Sequence, residues 1–272
     1  MDYTVPHYEN FPVASVLLPR HLRRPVQIIY AFARQADDIA DEGDDSAAVR
    51  LDKLQKYNAE LDLIARGETS TTPLFRDLAD VIQEHRLPLQ YFRDLLHAFS
   101  QDVQKTRYAN FAEVMDYCRR SANPIGRLLL HLYRQTDERQ LALSDGICSA
   151  LQLINFLQDI AIDYGKGRIY LPQDELAKYG IDEQQIACGE SDGMWWPFMQ
   201  MQIERSRKLL QAGAPLGKQL PGRIGLELRL IVMGGDRILQ KLHNTHGDVF
   251  QQRPVLKPID WIYMFYRAVR AQ

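Results

Sequence analysis

Two short sets of oxygen-bearing side chains follow stretches of this sequence that are otherwise apolar. The first set is Asp37, Asp38 and Asp41, and the second is Asn155, Asp159 and Asp163. Within each set, positions four residues apart lie on the same side of an α-helix. A bare carboxylate that faces an apolar interior is very costly, so both sets require cations or a water-filled cavity.

The types of donor favour a hard divalent cation. Oxygen ligands without a cluster of His or Cys favour Mg²⁺ over Zn²⁺, and Mg²⁺ prefers a few carboxylates together with substrate phosphate oxygens. Arg34 precedes the first set, and Lys166 and Arg168 follow the second. Carboxylates, a divalent metal and basic side chains together are typical of a diphosphate-binding site. Either acidic set alone is more often a solvated helix surface, and it is their joint occurrence beside apolar runs that favours a site.

The elements that must position these residues are helices. Apolar residues recur at intervals of three and four along nearly every segment, and no clear alternating strand is present. Residues 138–165 form a long, mostly apolar run, which predicts one central helix through the second acidic set. Residues 166–181 read as a loop in which Pro172 begins a short helix. We therefore predict one all-α domain over residues 1–272, with about ten helices.

The bulk composition excludes several classes of protein. The chain has 272 residues and a formal net charge of −2, which allows a sizeable core and argues against nucleic-acid binding. Its three cysteines are widely spaced, as expected in a reducing cytoplasm, and favour neither a disulfide framework nor a zinc site. We find no signal-peptide pattern and no apolar run of about 18 residues that could span a bilayer.

Two aromatic segments each have two interpretations. MWWPFM at 194–199 and DWIYMFYRAVR at 260–270 either pack into a core or form a patch that faces a membrane. Core packing is the more common outcome for such clusters. We therefore expect a cytoplasmic protein for which peripheral contact with the inner face of a membrane stays open.

Three motifs carry a family resemblance. They are YAFARQADDIAD at 30–41, DYCRRSANPIG at 116–126 and NFLQDIAIDYGKGRIYLPQDEL at 155–176. Through them the sequence resembles the squalene/phytoene synthase family over roughly residues 7–270. The resemblance implies an isoprenoid synthase helical bundle with a central cavity, in which two Asp-rich motifs on opposing helices hold Mg²⁺ and ionise an allylic diphosphate.

The resemblance also implies individual roles. The Mg²⁺ ligands would be Asp37, Asp38 and Asp41 of the first motif, and Asn155, Asp159 and Asp163 of the second. Arg34 matches the family's diphosphate-binding arginine, and Arg168 with Tyr170 matches its second basic and aromatic pair. Lys166, beside that pair, is expected to help bind the diphosphate. Tyr117 matches a tyrosine near the reacting carbons, and Tyr30, one turn before Arg34, is expected to line the same cavity.

Two departures from the family pattern narrow the expected reaction. HYENF at 7–11 places Glu9 where the family commonly has a lysine, and a glutamate would repel a diphosphate. SANPIG at 121–126 replaces an apolar run and adds Ser121, Asn123 and a helix-kinking proline. The added polar side chains either position a water molecule, with Asn123 as the leading candidate, or mark a helix break with satisfied polar groups.

ENFPVAS at 9–15, DVQKTRY at 102–108, SANPIG at 121–126 and NFLQD at 155–159 together make the sequence similar to the branch of the family that acts on presqualene diphosphate. The implied reaction loses diphosphate, opens the cyclopropane and captures water to give hydroxysqualene, as a carbon–oxygen lyase on a squalene or hopanoid route. A presqualene diphosphate synthase would supply the substrate and a flavin-dependent reductase would use the product. The alternative is a prenyltransferase that condenses two prenyl diphosphates to presqualene diphosphate, dehydrosqualene or phytoene. A non-catalytic prenyl-lipid binder would have damaged Asp motifs, and both are intact here.

Overall fold

The computed structural model describes residues 18–251 and 253–270, and this part of the chain is all-α, as predicted. It contains fourteen helices and two very short strands, more helices than the apolar periodicity predicts. The stretch HYENF, with Glu9, lies outside the described residues. None of the described helices combines the length and the apolar character needed to cross a bilayer.

The contacts within the chain divide the described residues into two compact units. Unit 1 consists of the described residues up to Lys105 together with Arg120–Leu141. Unit 2 consists of Thr106–Arg119 together with the described residues from Ala142 onward. The single domain over residues 1–272 stays a prediction.

Unit 1 is a set of amphipathic helices around an aromatic centre. Phe32 is fully buried, and its ring packs edge-on against Phe75 and Phe92 at centroid distances of 6.0 and 5.3 Å. The guanidinium of Arg50 donates to the carbonyls of Ile39 and Ala40 at 3.1 and 2.6 Å, which satisfies the last turn of the first helix. The helices are α1 (Arg20–Asp41), α2 (Ala47–Ala65), α3 (Pro73–His85), α4 (Leu89–Gln104) and α6 (Asn123–Leu132).

Unit 2 holds the remaining elements. The boundary between the units falls inside two of its helices, α5 and α7. Its strands form one short parallel pair. The elements are β1 (Arg107–Tyr108), α5 (Phe111–Ser121), α7 (Glu138–Gln158), α8 (Ile160–Gly165), β2 (Ile169–Pro172), α9 (Gln173–Lys178), α10 (Glu183–Cys188), α11 (Trp195–Gly213), α12 (Leu216–Gln219), α13 (Gly222–Asn244) and α14 (Pro258–Arg270).

The aromatic segment at the start of α11 belongs to the core. Trp195, Phe198 and Met199 are fully buried, and the indole N–H of Trp195 donates to the carbonyl of Gly247 at 2.9 Å. The core interpretation of this segment is therefore confirmed. The segment at 260–270 behaves differently, because α14 leaves several large apolar side chains exposed.

Three local predictions about elements were wrong. The expected continuous helix over 138–165 is divided at Asp159 into α7 and α8. The expected loop at 166–181 contains strand β2, because the backbone N–H of Ile169 donates to the carbonyl of Thr106 at 2.9 Å and draws the segment against β1. Pro172 caps α9 and is not its first helical residue.

Candidate active site

The first half of the candidate site is the last part of α1, in unit 1. Arg34 lies one turn before the acidic set, and its guanidinium pairs with Asp37 at 3.6 Å and with Asp38 at 2.7 Å. These are the i,i+3 and i,i+4 spacings that bring helix side chains together. Tyr30, one turn earlier, interacts electrostatically with Arg34. The structure therefore brings Arg34 together with Asp37 and Asp38, and Arg34 neutralises these carboxylates in part.

Negative charge is crowded in this half. Desolvation and the nearby charge of Asp41 raise the pKa of Asp37 to about 7, with further upward contributions from Asp102 and Asp38 and a downward one from Arg34. Asp102 on α4 is a functional candidate that sequence reasoning missed. It is buried, and it follows Leu95 and Phe99 at the four- and three-residue intervals of the buried face of α4. An aspartate at one of the positions that form the apolar, buried side of a helix was the pattern that could have revealed it.

The second half of the candidate site is the junction of α7 and α8, in unit 2. The helix is interrupted at Asp159, yet the backbone N–H of Asp159 still donates to the carbonyl of Asn155 at 2.9 Å. The N–H of Asp163 likewise donates to the carbonyl of Asp159 at 2.7 Å. Because both four-residue hydrogen bonds survive, the interruption is local and the chain keeps its helical course through the second acidic set.

Asp159 has a partner that no local motif predicts. The guanidinium of Arg253 donates to both carboxylate oxygens of Asp159, through Nε to Oδ1 and through Nη2 to Oδ2, the second at 3.1 Å. Asp159 is largely buried and Arg253 is one-third exposed. A bidentate guanidinium is the strongest form of carboxylate pairing. It supplies the positive charge that a buried carboxylate requires, at the position expected to bind a metal.

A tight turn after α8 places Lys166 and Arg168 next to the second half of the candidate site. Gly167 adopts a φ of +79°, which favours glycine, and the backbone N–H of Arg168 returns to the carbonyl of Asp163 at 2.8 Å. Asp163 and Arg168 then line a small recess together with Tyr170. Lys166, at the exposed tip of the turn, donates its backbone N–H to Asp163 at 3.1 Å.

Four buried rings form an aromatic cluster beside this recess. Tyr170 stacks on Phe156 at 4.0 Å with an interplanar angle of 5°, and on Tyr108 at 5.5 Å. Tyr117 lies 5.5 Å from Tyr170 and 5.9 Å from Phe156. Sequence reasoning named Tyr117 and Tyr170 but neither of the other two rings. Ring faces are electron-rich, so the cluster is suited to the neighbourhood of a carbocation.

Two side-chain hydrogen bonds stabilise the start of α5, the helix that carries Tyr117. The side chain of Asn110 accepts the backbone N–H of Glu113 at 3.1 Å, and the Glu113 carboxylate accepts the N–H of Ala109 at 2.8 Å. These two hydrogen bonds satisfy backbone N–H groups at and just before the start of α5.

The departure at 121–126 is a break between α5 and α6. Asn123 is buried at the first position of α6, where Pro124 is also tolerated because its missing N–H is in the first turn. The buried hydroxyl of Ser121 finds no hydrogen-bond partner among the described residues. A helix break is therefore confirmed, but within the described part of the chain the hydroxyl of Ser121 is not satisfied by protein atoms.

The donor chemistry of both halves fits a divalent cation. Among residues 18–251 and 253–270, no group of three or more His, Cys, Asp or Glu side chains is placed to hold a metal ion. Mg²⁺ does not need such a cage, because it is bound through one or two carboxylates and keeps water or substrate phosphate oxygens as its other ligands. The carboxylates of Asp41, Asp102 and Asp38 add to the negative charge around Asp37, and a cation there would offset it.

The predicted site residues are thus divided between the two units. Unit 1 contains Tyr30, Arg34, Asp37, Asp38, Asp41 and Asn123, and unit 2 contains Tyr117, Asn155, Asp159, Asp163, Lys166, Arg168 and Tyr170. Each half is assembled as described, and their joint role stays a prediction.

Comparison with known proteins places these features in a wider group. A sequence model described as squalene/phytoene synthase matches residues 4–260. The chain is 36% identical over 267 residues to a hydroxysqualene synthase of Rhodopseudomonas palustris, covering 97% of this chain and 89% of that protein. It is 33% identical to a hydroxysqualene synthase of Sinorhizobium fredii, covering 93% and 85%. The crystal structure of squalene synthase HpnC from Alicyclobacillus acidocaldarius is 36% identical and superposes with a TM-score of 0.82, covering 88% of this chain and 90% of that one.

Proposed function

The chain belongs to the squalene/phytoene synthase family, and we propose that its reaction is the conversion of presqualene diphosphate into hydroxysqualene and diphosphate. The names of the two relatives described above support this proposal. The structural observation that carries it is the break between α5 and α6, where a buried hydroxyl of Ser121 has no protein partner among the described residues and Asn123 is buried close by in sequence. A buried polar group of this kind is commonly completed by an ordered water, and water is the second reactant.

The proposed reaction starts with cleavage of the carbon–oxygen bond to the diphosphate. The diphosphate leaves with the bonding electron pair, and a cyclopropylcarbinyl cation remains. Arg34 and Arg168 would neutralise charge on the departing oxygens through charge-assisted hydrogen bonds. Mg²⁺, when bound by the carboxylates of the two acidic sets, would supply further positive charge to the leaving group.

The cation must then be protected and captured. The faces of Tyr117 and Tyr170 would stabilise it, and the burial of their cluster would exclude bulk water. Rearrangement opens the cyclopropane, and one water adds to the resulting cation and loses a proton to give the alcohol. Ser121 and Asn123 are the proposed residues that orient this water.

The reaction also implies neighbouring enzymes. A presqualene diphosphate synthase would supply the substrate, and a flavin-dependent reductase would remove the hydroxyl group from the product. Both compounds are thirty-carbon lipids, so we propose a cytoplasmic enzyme that works in peripheral contact with a membrane.

The test is to incubate the purified chain with MgCl₂ and either presqualene diphosphate or farnesyl diphosphate, and to identify products by mass spectrometry. We expect presqualene diphosphate to give a thirty-carbon alcohol and farnesyl diphosphate to remain unchanged. Asp159→Asn should abolish turnover, while Asp44→Asn, an exposed acid outside both motifs, should not. Consumption of farnesyl diphosphate alone would instead identify a condensing prenyltransferase.

A further inference from the structure

Helix α14 packs one face against α13 and leaves large apolar side chains exposed on the opposite face. Asp260, Met264 and Ala268 recur every four residues and are buried, which defines the face that packs against α13. The opposite face carries five large apolar side chains that are each more than half exposed: Ile259 at 66%, Ile262 at 67%, Tyr263 at 51%, Phe265 at 52% and Tyr266 at 53%. We call these five residues the outer face of α14. Such a concentration on one helix of thirteen residues is typical of an interaction surface.

The inner face of α14 is firmly attached to unit 2. The carboxylate of Asp260 is nearly inaccessible to solvent, and it accepts hydrogen bonds from Arg237 at 2.7 Å and from Lys241 at 2.6 Å, both on α13. It also accepts the backbone N–H of Lys257 at 2.7 Å. Burial alone would raise the pKa of Asp260, but these donors outweigh it and hold that pKa below its usual range. The outer face is therefore presented by an anchored helix.

The charges around the outer face favour an anionic partner. Asp260 is the one acidic residue of α14, and it is buried within its ion pairs. Lys257 precedes the helix and is exposed, and Arg267 is exposed on the helix itself. The guanidinium of Arg267 donates to the hydroxyl of Tyr263 at 3.2 Å and lies 5.6 Å from the centre of that ring. Exposed aliphatic and aromatic side chains flanked by cations are the pattern of a helix that lies in the surface of an anionic membrane.

We propose that the outer face of α14 binds the surface of a phospholipid bilayer that contains anionic lipid. A helix of thirteen residues is too short to cross a bilayer, which takes about 20, but it can lie in the interface with Ile259, Ile262 and Phe265 inserted. The biological reason for this contact rests on the proposed function, because a thirty-carbon substrate partitions into lipid. The physical proposal rests on α14 and on Lys257, which precedes it.

The test is flotation of the full chain with vesicles of phosphatidylcholine and phosphatidylglycerol, compared with vesicles of phosphatidylcholine alone. We expect binding to the mixed vesicles that weakens with added NaCl. The triple variant I259S/I262S/F265S should lower the partition coefficient by about tenfold or more, since three inserted side chains are lost. The variant K257Q/R267Q should remove the preference for phosphatidylglycerol. V49S/M194S, which changes exposed apolar side chains outside α14, should bind like the wild type.

The outcomes separate this proposal from its competitors. Equal vesicle binding by the wild type and the triple variant would overturn it, as would no binding by the wild type. Light scattering provides a second readout, because a dimer that the triple variant converts to monomer, without any lipid binding, would assign the outer face to a second copy of this chain. Turnover of presqualene diphosphate in detergent micelles should be the same for the wild type and the triple variant. If neither protein turns over presqualene diphosphate but only the wild type binds vesicles, the proposed function is wrong and the proposed membrane-binding surface is supported.

Discussion

Replacement of Arg253 by methionine should destabilise the chain and free Asp159 for a cation. Removing one partner of a fully buried ion pair costs about 3–5 kcal/mol, whereas an exposed pair contributes roughly 0–1 kcal/mol. The side chain of Asp159 is 12% exposed and that of Arg253 is 33% exposed, so this pair lies between the two limits. We therefore expect R253M to lower the free energy of unfolding by about 2 kcal/mol.

The assay is urea denaturation in a double-mutant cycle with D159N. If the cost of R253M arises from the uncompensated carboxylate, it should be much smaller in the D159N background. Arg107→Met is the matched control, because Arg107 forms a bidentate pair with a Glu183 carboxylate that is 48% exposed, and its loss should cost roughly 1 kcal/mol or less. An equal cost of R253M with and without the Asp159 carboxylate would refute this reasoning.

The same variant reports on the metal. Arg253 and a cation would compete for the carboxylate of Asp159, so MgCl₂ should stabilise R253M more than it stabilises the wild type. The readout is the urea midpoint with and without MgCl₂, and it needs no substrate. Equal stabilisation of both proteins would mean that Arg253 and the cation do not share Asp159.

Three further predictions follow from other parts of the chain. Because the pKa of Asp37 in the folded chain is about 7, its carboxyl is mostly protonated at pH 4 and becomes charged as the pH approaches 7, and a bound cation requires the charged form. Magnesium affinity measured by calorimetry should therefore rise by about tenfold per pH unit up to neutrality and then level off, and D37N should flatten the profile. Asn123→Ala should shift the products away from the alcohol with little change in substrate consumption. An unchanged product spectrum would mean that Asn123 does not orient the water. Gly213→Ala should cost about 1–3 kcal/mol in urea denaturation, because its Cβ would lie 2.6 Å from the carbonyl oxygen of Leu143, whereas Gly165→Ala meets nothing within 4 Å.

Local features of the site could be predicted from sequence, and those that depend on distant partners could not. Arg34 and Asp38 are four residues apart, so a helix places them on one side of α1, and their 2.7 Å pair agrees with that spacing. Arg253 lies 94 residues from Asp159, and nothing in its own neighbourhood indicates that pairing. The interruption at Asp159 also escapes prediction, because neither proline nor glycine marks it.

The aromatic cluster shows the same limit. Tyr117 and Tyr170 were predicted through motifs, but Tyr108 reaches Tyr170 only because β1 pairs with β2. A strand of two residues is too short for an alternating pattern, so its hydrogen bonds decide the pairing and the sequence does not reveal it. The helices that carry Tyr117 and Phe156 are predictable from the apolar period, but the strands that carry Tyr108 and Tyr170 are not, and the convergence of the four rings is a tertiary property.

The chain connectivity of the two units has a consequence for synthesis and for proteolysis. The chain completes unit 1 only with Arg120–Leu141, after it has already produced Thr106–Arg119 of unit 2. On the ribosome that earlier segment, which carries Tyr108 and Tyr117, must wait for the residues from Ala142 onward before its own unit can form. For the same reason no single cut separates the two units, because cleavage at any one peptide bond leaves at least one fragment with parts of both or an incomplete unit. A protease that nicks the chain once therefore cannot release either unit whole and free of the other.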